Sequence, residues 1–341
     1  MKAMIMAAGV GSRLMPLTSA IPKPMIPMAN RPLMENTVQL LSQYGIKEII
    51  ANLHHHGEII RNYFGGGESW GVDMHYSPEM ELMGTAGGVK KCEWFLDETF
   101  VVISGDALTD INLGKLLTEH QRRGSLATIA LKPVDEVEQF GVVVIDDEGK
   151  IARFQEKPRP QEALSRTANT GIYIFEPDIF KYIPKGEFYD FGKQLFPYLV
   201  EMAAPFYGIS IDEYWCDIGN INTYRQANGD ILRGKVKVPY AGELIHSGDN
   251  SSMLLGEGVR LGRNIRISGQ VVIGPGCQIG DGVSIENSVL WNDSIVEQRA
   301  VIKDSVIGSA CRIGQDANLS SDSVIASGSY LEDGIQISPQ Y

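Results

Sequence analysis

The sequence predicts an α/β protein in two parts: a mostly parallel sheet covered by helices on both faces, then a parallel β-helix. Three observations carry this expectation. A short apolar run, Ala3 to Met6, feeds a glycine-rich loop, Ala7-Ala8-Gly9-Val10-Gly11-Ser12-Arg13. Strand-like and helix-like patterns alternate from there to about residue 232. After about residue 252 an aliphatic residue returns every six positions. A length of 341 residues is enough for two domains. The expected boundaries are a first domain over 1–232, a connector over 233–252 and a repeat over 253–341.

Ala3 to Met6 reads as a short buried strand. Gly9 and Gly11 let the backbone turn sharply and present bare N–H groups to an anion. Arg13 adds a fixed cationic fork and Lys23 a point charge. Pro16, Pro22, Pro24 and Pro27 exclude a regular helix, so an extended, stiff loop is expected. A strand feeding such a loop is a polyphosphate cradle. Two common cradles do not fit. The dinucleotide fingerprint needs a glycine where Leu14 stands, and the P-loop needs a Gly-Lys-Ser/Thr that is absent here.

Further along, Leu33, Thr37, Leu40, Leu41 and Tyr44 fall at helical spacing up to Gly45. Ile49, Ile50 and Leu53 suggest a strand. Glu58 to Phe64 suggests a helix stopped by Gly65-Gly66-Gly67, and Thr85 to Phe95 a further helix. Phe100 to Ile103 reads as a buried strand, and Leu113, Leu116, Leu117 and His120 as an amphipathic helix closed by Gly124. This alternation gives a mostly parallel sheet, whose ligands bind beyond the C-terminal ends of the strands. Val142 to Ile145 and Ile151 to Phe154, joined by Asp146-Asp147-Glu148-Gly149, read as a hairpin.

In the tail, Leu255, Leu261, Ile267, Ile273, Ile279 and Ile285 recur every six residues. The series resumes in shifted phase at Ile295, Val301, Ile307, Ile313, Leu319, Ile325, Leu331 and Ile337. The step from Ile285 to Ile295 is expected to carry an irregular insertion. Three hexads per turn give roughly four to five coils.

Composition excludes several function classes. A formal net charge of −12 opposes a nucleic-acid partner. Cys92, Cys216, Cys277 and Cys311 form no Cys-x-x-Cys pair, so neither a zinc site nor a redox motif is suggested. No apolar run approaches a membrane span, and the first apolar segment is too short for a signal peptide. A cytoplasmic protein without a membrane partner is the expectation. His54-His55-His56 follows a strand, and consecutive residues there point in alternating directions, so a metal site is not expected.

The opening stretch, continued by Leu14-Met15-Pro16-Leu17-Thr18 and Pro22-Lys23-Pro24-Met25, resembles the signature of the sugar-1-phosphate nucleotidyltransferases, or nucleotide-sugar pyrophosphorylases. Met6 stands for that signature's leucine and Ser12 for its threonine, which keeps the hydroxyl. The resemblance implies a Rossmann-like, mixed, mostly parallel sheet. The tail resembles the left-handed parallel β-helix of hexapeptide-repeat proteins. The implied reaction joins an NTP to a sugar 1-phosphate, giving an NDP-sugar and pyrophosphate.

The resemblance also implies roles. Ala8, Gly9, Gly11 and Ser12 would bind the nucleotide, with Arg13 and Lys23 as catalytic cations. Gly84, in Gly84-Thr85-Ala86-Gly87, would line the nucleotide site. Asp106, in Ser104-Gly105-Asp106, and Asp217, in Trp215-Cys216-Asp217-Ile218-Gly219, would hold Mg²⁺. On the sugar side stand Gly141, Glu156 and Lys157 of Glu156-Lys157-Pro158, and Asn169 of Asn169-Thr170-Gly171-Ile172-Tyr173. Taken singly, each of these short motifs also fits a plain loop or surface role.

Base choice is expected in Glu79-Met80-Glu81-Leu82. A carboxylate accepts from both N1–H and N2 of guanine, and acidic residues here recur in the mannose-1-phosphate guanylyltransferase branch. Glu79 is therefore the expected guanine contact, with GTP and mannose 1-phosphate as substrates and GDP-mannose as product. Glucose 1-phosphate with dTTP or UTP is the alternative. A non-catalytic regulatory paralogue is another, opposed by the presence of all the charged motif residues. An acyltransferase tail would use a histidine between coils, but the only histidine after residue 232, His246, precedes the repeat. The tail is read as structural, building a homo-oligomer or a regulatory surface.

Overall fold

The protein is described by a computed structural model covering residues 1–248, 250–320 and 322–337. It divides into two compact units. One comprises Met1–Gly9 and Thr37–Trp215, the other Val10–Asn36 and the chain from Cys216 on.

The first unit is built on a nine-stranded sheet. Its central strand, Lys2–Met6, lies parallel to Phe100–Ser104 on one side and Glu48–Leu53 on the other, and Asp73–Pro78 forms that edge. Both faces of the central strands are buried, as continuous runs such as Phe100-Val101-Val102-Ile103 require. Thr167–Phe175 pairs antiparallel with Phe100–Ser104, so the sheet is mixed. A register shift between Asn169 and Tyr173 lets this one strand also reach Ala127–Pro133 and Gly141–Ile145. Ala127–Pro133 continues to Phe206–Ser210. The expected hairpin is present as Gly141–Ile145 with Ile151–Glu156. Its turn is fixed by Asp146 Oδ1, which accepts from the N–H groups of Glu148 and Lys150.

Helices cover this sheet at Gly57–Phe64, Gly84–Lys91 and Leu113–Arg122, the last capped by Asn112 Oδ1. The helix expected over Thr85 to Phe95 ends four residues early. The chain turns at Cys92, and Phe95 and Leu96 thereby reach the core instead of following the helix surface. That core is aromatic, with Phe191 and Phe196 stacked at 5.3 Å. Each fully buried phenylalanine contributes about 1.5–3 kcal/mol.

In the second unit the proline-rich loop is not extended. It folds into three 3₁₀ turns, Ser12–Leu14, Leu17–Ser19 and Lys23–Met25. The prolines do exclude an α-helix, but a single turn tolerates proline at its start, where no N–H is needed. Pro16 precedes the second turn, and Pro24 lies in the first positions of the third. The helix Ile221–Leu232, opened by an Asn220/Thr223 capping box, clamps this segment. Asn228 Oδ1 accepts from Ala29 N–H at 2.8 Å, and Tyr224 donates its hydroxyl to Pro27 O while accepting from Trp291 Nε1.

Trp291 belongs to a three-faced parallel coil. Ser251–Leu255, Gln270–Ile273, Val289–Leu290, Val306–Ile307 and Val324–Ile325 stack on one face. The other two faces each carry five strands, beginning with Arg260–Leu261 and Arg266–Ser268. An extra strand, Glu243–Ser247, runs antiparallel to Ser251–Leu255.

The phase expected after Ile285 is corrected. Ile273 aligns with Leu290 and Leu290 with Ile307, so Leu290 is the rung the periodicity missed. Val296 and Ile302 point inward, whereas Val301 is 40% exposed. The irregularity is thus a shortening. Neighbouring coils here are offset by 17 residues, as in the Arg299–Asp316 pair, where others are offset by 18, as in Arg263–Asp281. Alternate strand residues face opposite ways. Of the pairs Ile295-Val296 and Val301-Ile302 only one member can face in, and two adjacent β-branched residues do not say which.

Candidate active site

In the second unit, Arg13, Lys23 and Asp217 converge. Lys23 is 6% exposed, and its Nζ stands 3.8 Å from Asp217 Oδ1. Arg13, largely exposed, places Nη2 3.9 Å from Asp217 Oδ2. Two cations thus approach one carboxylate next to the glycine-rich loop. Glycines make this approach possible. Gly11 has φ +68°, and a Cβ there would lie 2.8 Å from Lys23 Cβ. A Cβ on Gly219 would meet Asp217 Oδ2 at 2.8 Å and Arg13 Nη1 at 3.2 Å. Thr18 Oγ1 closes the loop by donating to Gly11 O at 2.9 Å. Gly9 and Ser12 are exposed and Ala8 is buried.

In the first unit, Ala7, Asn52, Glu79 and Met83 form a buried hydrogen-bonded chain. Ala7 N–H donates to Asn52 Oδ1 at 2.8 Å. Asn52 Nδ2 donates to Glu79 Oε1 at 2.7 Å, and Met83 N–H donates to Glu79 Oε2 at 3.0 Å. Glu79 is only 4% exposed. Both oxygens are engaged within the protein and the side chain faces the interior, whereas the sequence leads us to expect a contact to guanine. Glu81 is exposed. Gly84 has φ +74°, and its missing Cβ leaves room for Tyr189 O.

Asp106 follows the strand Phe100–Ser104, with Gly105 N–H bonded to Met6 O at 2.9 Å. Ser104 Oγ donates to Asp106 Oδ1 at 2.5 Å, which orients the carboxylate. No group of three or more His, Cys, Asp or Glu side chains forms a metal cage among the described residues. Mg²⁺ does not require one, because it is commonly held by one or two carboxylates together with substrate phosphates and water. Asp106 in the first unit and Asp217 in the second are each a carboxylate of the kind that donor set uses. The triple histidine is used locally: His54 Nδ1 lies 2.9 Å from Glu79 O, and His56 precedes the helix Gly57–Phe64.

Gly141, Glu156 and Asn169, expected on the sugar side, lie on neighbouring strands. Gly141 is the register partner of Glu156, and Ala168, next to Asn169, pairs with Val142. A Cβ on Gly192 would run into the Glu156 carboxylate, and one on Gly141 would strike the Phe154 ring and press on Glu156 Oε2. Burial pushes the Glu156 carboxyl up, against the pull of Lys157 and with Asp190 adding to the rise. Asn169 accepts from Gly171 N–H at 3.0 Å and donates to the Tyr173 hydroxyl at 2.9 Å. Lys157 is exposed, with φ +47°. Asp190 is a residue the sequence did not point to; it accepts from Thr85 Oγ1 and caps the π-helical turn Phe191–Leu195. Asn52 is another. Its one signal was a polar residue near the end of an apolar strand, Ile49-Ile50-Ala51-Asn52-Leu53.

Residues 2–234 match the family model described as Nucleotidyl transferase. The chain belongs to the nucleotidyl transferase family. Residues 246–337 match a model described as the EIF2B subunit epsilon LbH domain, so the three-faced coil is a left-handed β-helix. Over 251 residues the chain is 47% identical to a UTP–glucose-1-phosphate uridylyltransferase of Synechocystis sp., covering 70% of this chain and 65% of that relative. Over 253 residues it is 30% identical to a Mycobacterium tuberculosis mannose-1-phosphate guanylyltransferase, covering 72% and 70%. A Bacillus anthracis crystal structure assigned as a glucose-1-phosphate thymidylyltransferase, in complex with a sucrose, is similar at a TM-score of 0.60 and 28% identity, covering 67% and 93%. The chain therefore spans less than two thirds of the length of the Synechocystis relative.

Proposed function

We propose that this chain transfers a nucleotidyl group from an NTP to a sugar 1-phosphate and releases pyrophosphate, with UTP and glucose 1-phosphate as the substrates. The observation that carries the transfer reading is the convergence of Arg13 and Lys23 on Asp217 beside a glycine-rich loop. The 47% identity to the Synechocystis uridylyltransferase supports the choice of substrates, as does the internal engagement of Glu79.

The sugar phosphate is an ionised nucleophile at neutral pH, so no general base is needed. The barrier is anion repulsion and the alignment of an in-line attack at the α-phosphorus, which positioning and fixed charge relieve. Gly9, Gly11 and Ser12 bind the triphosphate with Ala8, and Arg13 draws the leaving pyrophosphate. Lys23 neutralises charge at the α-phosphate. Lys157 brings in the sugar phosphate, and Glu156, Asn169 and the Gly141 backbone orient the sugar. Asp106 and Asp217 would be the carboxylates for Mg²⁺, which when bound would neutralise charge on the phosphates. We assign the chemistry to 1–232, a connector to 233–252 and a homo-oligomer-building role to 253–341, in a cytoplasmic enzyme. No described helix is long and apolar enough to cross a membrane.

A second reading, GTP with mannose 1-phosphate, is favoured by the Mycobacterium tuberculosis relative and by exposed Glu81. Pyrophosphate release in Mg²⁺ decides between them, with UTP, dTTP, GTP, CTP and ATP tested against glucose, mannose, galactose and N-acetylglucosamine 1-phosphates. The expected result is highest kcat/KM for UTP with glucose 1-phosphate. Preference for GTP with mannose 1-phosphate would replace that choice by the second reading. Silence throughout, from folded protein, would sink the transfer reading and leave a non-catalytic nucleotide-sugar-binding protein.

A further inference from the structure

The chain Ala7–Asn52–Glu79–Met83 lies wholly in the first unit and links two segments on the nucleotide side. One end is the residue preceding Ala8 and Gly9 of the glycine-rich loop. The other is the residue preceding Gly84. Asn52 is 5% exposed and Glu79 4%. Among the described residues Glu79 forms no ion pair, and its carboxylate accepts only from neutral amides.

The polarity of every bond is fixed by the first. Ala7 N–H can only donate, so Asn52 must turn Oδ1 to it and Nδ2 away. An amide donor then needs an acceptor, which Glu79 Oε1 supplies. Met83 N–H can only donate, and Glu79 Oε2 receives it. A side chain with two acceptor ends is required at position 79, and only a carboxylate provides that. Burying such a group without a cation is unfavourable unless its oxygens are hydrogen-bonded, and both are. Gly88 completes the fit: a Cβ there would stand 2.7 Å from Glu79 Oε1 and 3.1 Å from Asn52 Nδ2.

We propose that Asn52 and Glu79 are positioning residues that hold the start of the glycine-rich loop and the turn before Gly84 in fixed relation, so that nucleotide is bound in a reactive geometry. This rests on the nucleotidyl-transfer reading above. Neither residue adjoins Glu156, Lys157 or Asn169 in the hydrogen bonds described, so the effect falls on the NTP and not on the sugar phosphate.

A polarity swap tests it. In E79Q one amide N–H₂ must face a donor, either Asn52 Nδ2 or Met83 N–H. In N52D two carboxylates face each other. In N52D/E79Q every bond can re-form. The carboxylate now at position 52 accepts from Ala7 N–H and from the amide now at position 79, and the oxygen of that amide accepts from Met83 N–H. We expect each single variant to lose about 30- to 100-fold in kcat/KM for the NTP, with KM for the sugar phosphate within about threefold of wild type. The double variant should recover to within about fivefold. Independently, hydrogen exchange of the Ala7–Ala8 peptide, read without substrate, should be fast in N52D and protected again in the double variant.

Three results would overturn the proposal: wild-type kinetics in both single variants, a rise in KM for the sugar phosphate as large as that for the NTP, or no recovery in the double variant. Global unfolding of both singles would show a purely structural role and overturn it as well. Inactivity of wild type in every substrate pair would instead refute the transfer reading. The exchange measurement would still decide whether the hydrogen bonds hold the loop.

Discussion

Lys23 and Asp217 stand 3.8 Å apart, amine to carboxylate, with the lysine almost wholly buried although their sequence positions are far apart. Asp217 ends the strand Trp215–Asp217, and Lys23 opens a 3₁₀ turn whose start is fixed by Pro22. The second unit thus brings a buried ammonium and a carboxylate from distant parts of the chain to within reach of each other. Replacing Lys23 by methionine preserves the stem and removes the charge. Lys23→Met is expected to lower kcat by about 10²–10³, the scale of a lost transition-state charge contact. Arg13→Ala should lower kcat by a similar factor. Steady-state kinetics at saturating Mg²⁺ checks both, and a loss confined to KM would contradict the assignment.

Gly11 is required twice, by its φ of +68° and by its closeness to Lys23. Gly11→Ala is expected to cost about 1–3 kcal/mol of stability, the range for an imposed left-handed residue with strain. It should also reduce kcat at least tenfold through displacement of Lys23. Urea unfolding and single-turnover rates measure the two effects separately. Gly9, where an added Cβ meets nothing within 4 Å, is the control: Gly9→Ala should leave stability within about 1 kcal/mol.

The proposed metal-binding role of Asp106 and Asp217 predicts metal dependence. Chelation of wild-type protein with EDTA should abolish pyrophosphate release, and added Mg²⁺ should restore it. In Asp106→Asn, which keeps an acceptor for Ser104 Oγ, the Mg²⁺ concentration for half-maximal rate should rise about tenfold or more. A Mg²⁺ titration of the rate that superposes on wild type would remove Asp106 from the metal-binding set.

The corrected phase of the β-helix makes a sharp contrast between two adjacent residues. Ile302 is fully buried, whereas Val301 is 40% exposed. Ile302→Ala should destabilise by about 2–5 kcal/mol, and Val301→Ala by about 0.5 kcal/mol or less. Urea denaturation followed by far-UV circular dichroism distinguishes them, and the reverse order would restore the phase read from the sequence.

His120 is buried between Thr128 Oγ1, 2.8 Å from Nδ1, and Glu176 Oε1, 3.2 Å from Nε2. Burial pulls its pKa below the ordinary 6.5, and the Glu176 hydrogen bond only partly opposes that. The unfolded chain therefore binds the proton first as pH falls. Stability from this group is present above about pH 6.5 and is lost as pH drops below it. Unfolding free energy should decline between pH 7 and pH 5.5, and His120→Gln should flatten that decline.

Much of this protein is written locally. The run Phe100 to Ile103 could only be a buried strand, and the aliphatic hexads could only stack as coils, because each pattern leaves one way to bury its apolar side chains. The glycine-rich loop with Arg13 and Lys23 suggested an anion site because glycine spacing and fixed charge act within a few residues. What required the tertiary structure was every choice between equivalent local options. The sequence could not say whether Val301 or Ile302 faces inward, since that depends on the register of the coil below. Nor could it show that Glu79 faces the interior, since its partners, Asn52 and Met83 N–H, come from a neighbouring strand and the start of a helix. A carboxylate in an acidic loop and a carboxylate in a buried relay are the same residue type. Only the packing around Glu79 decides which it is, because burial leaves its lone pairs no partner but the protein's own amides.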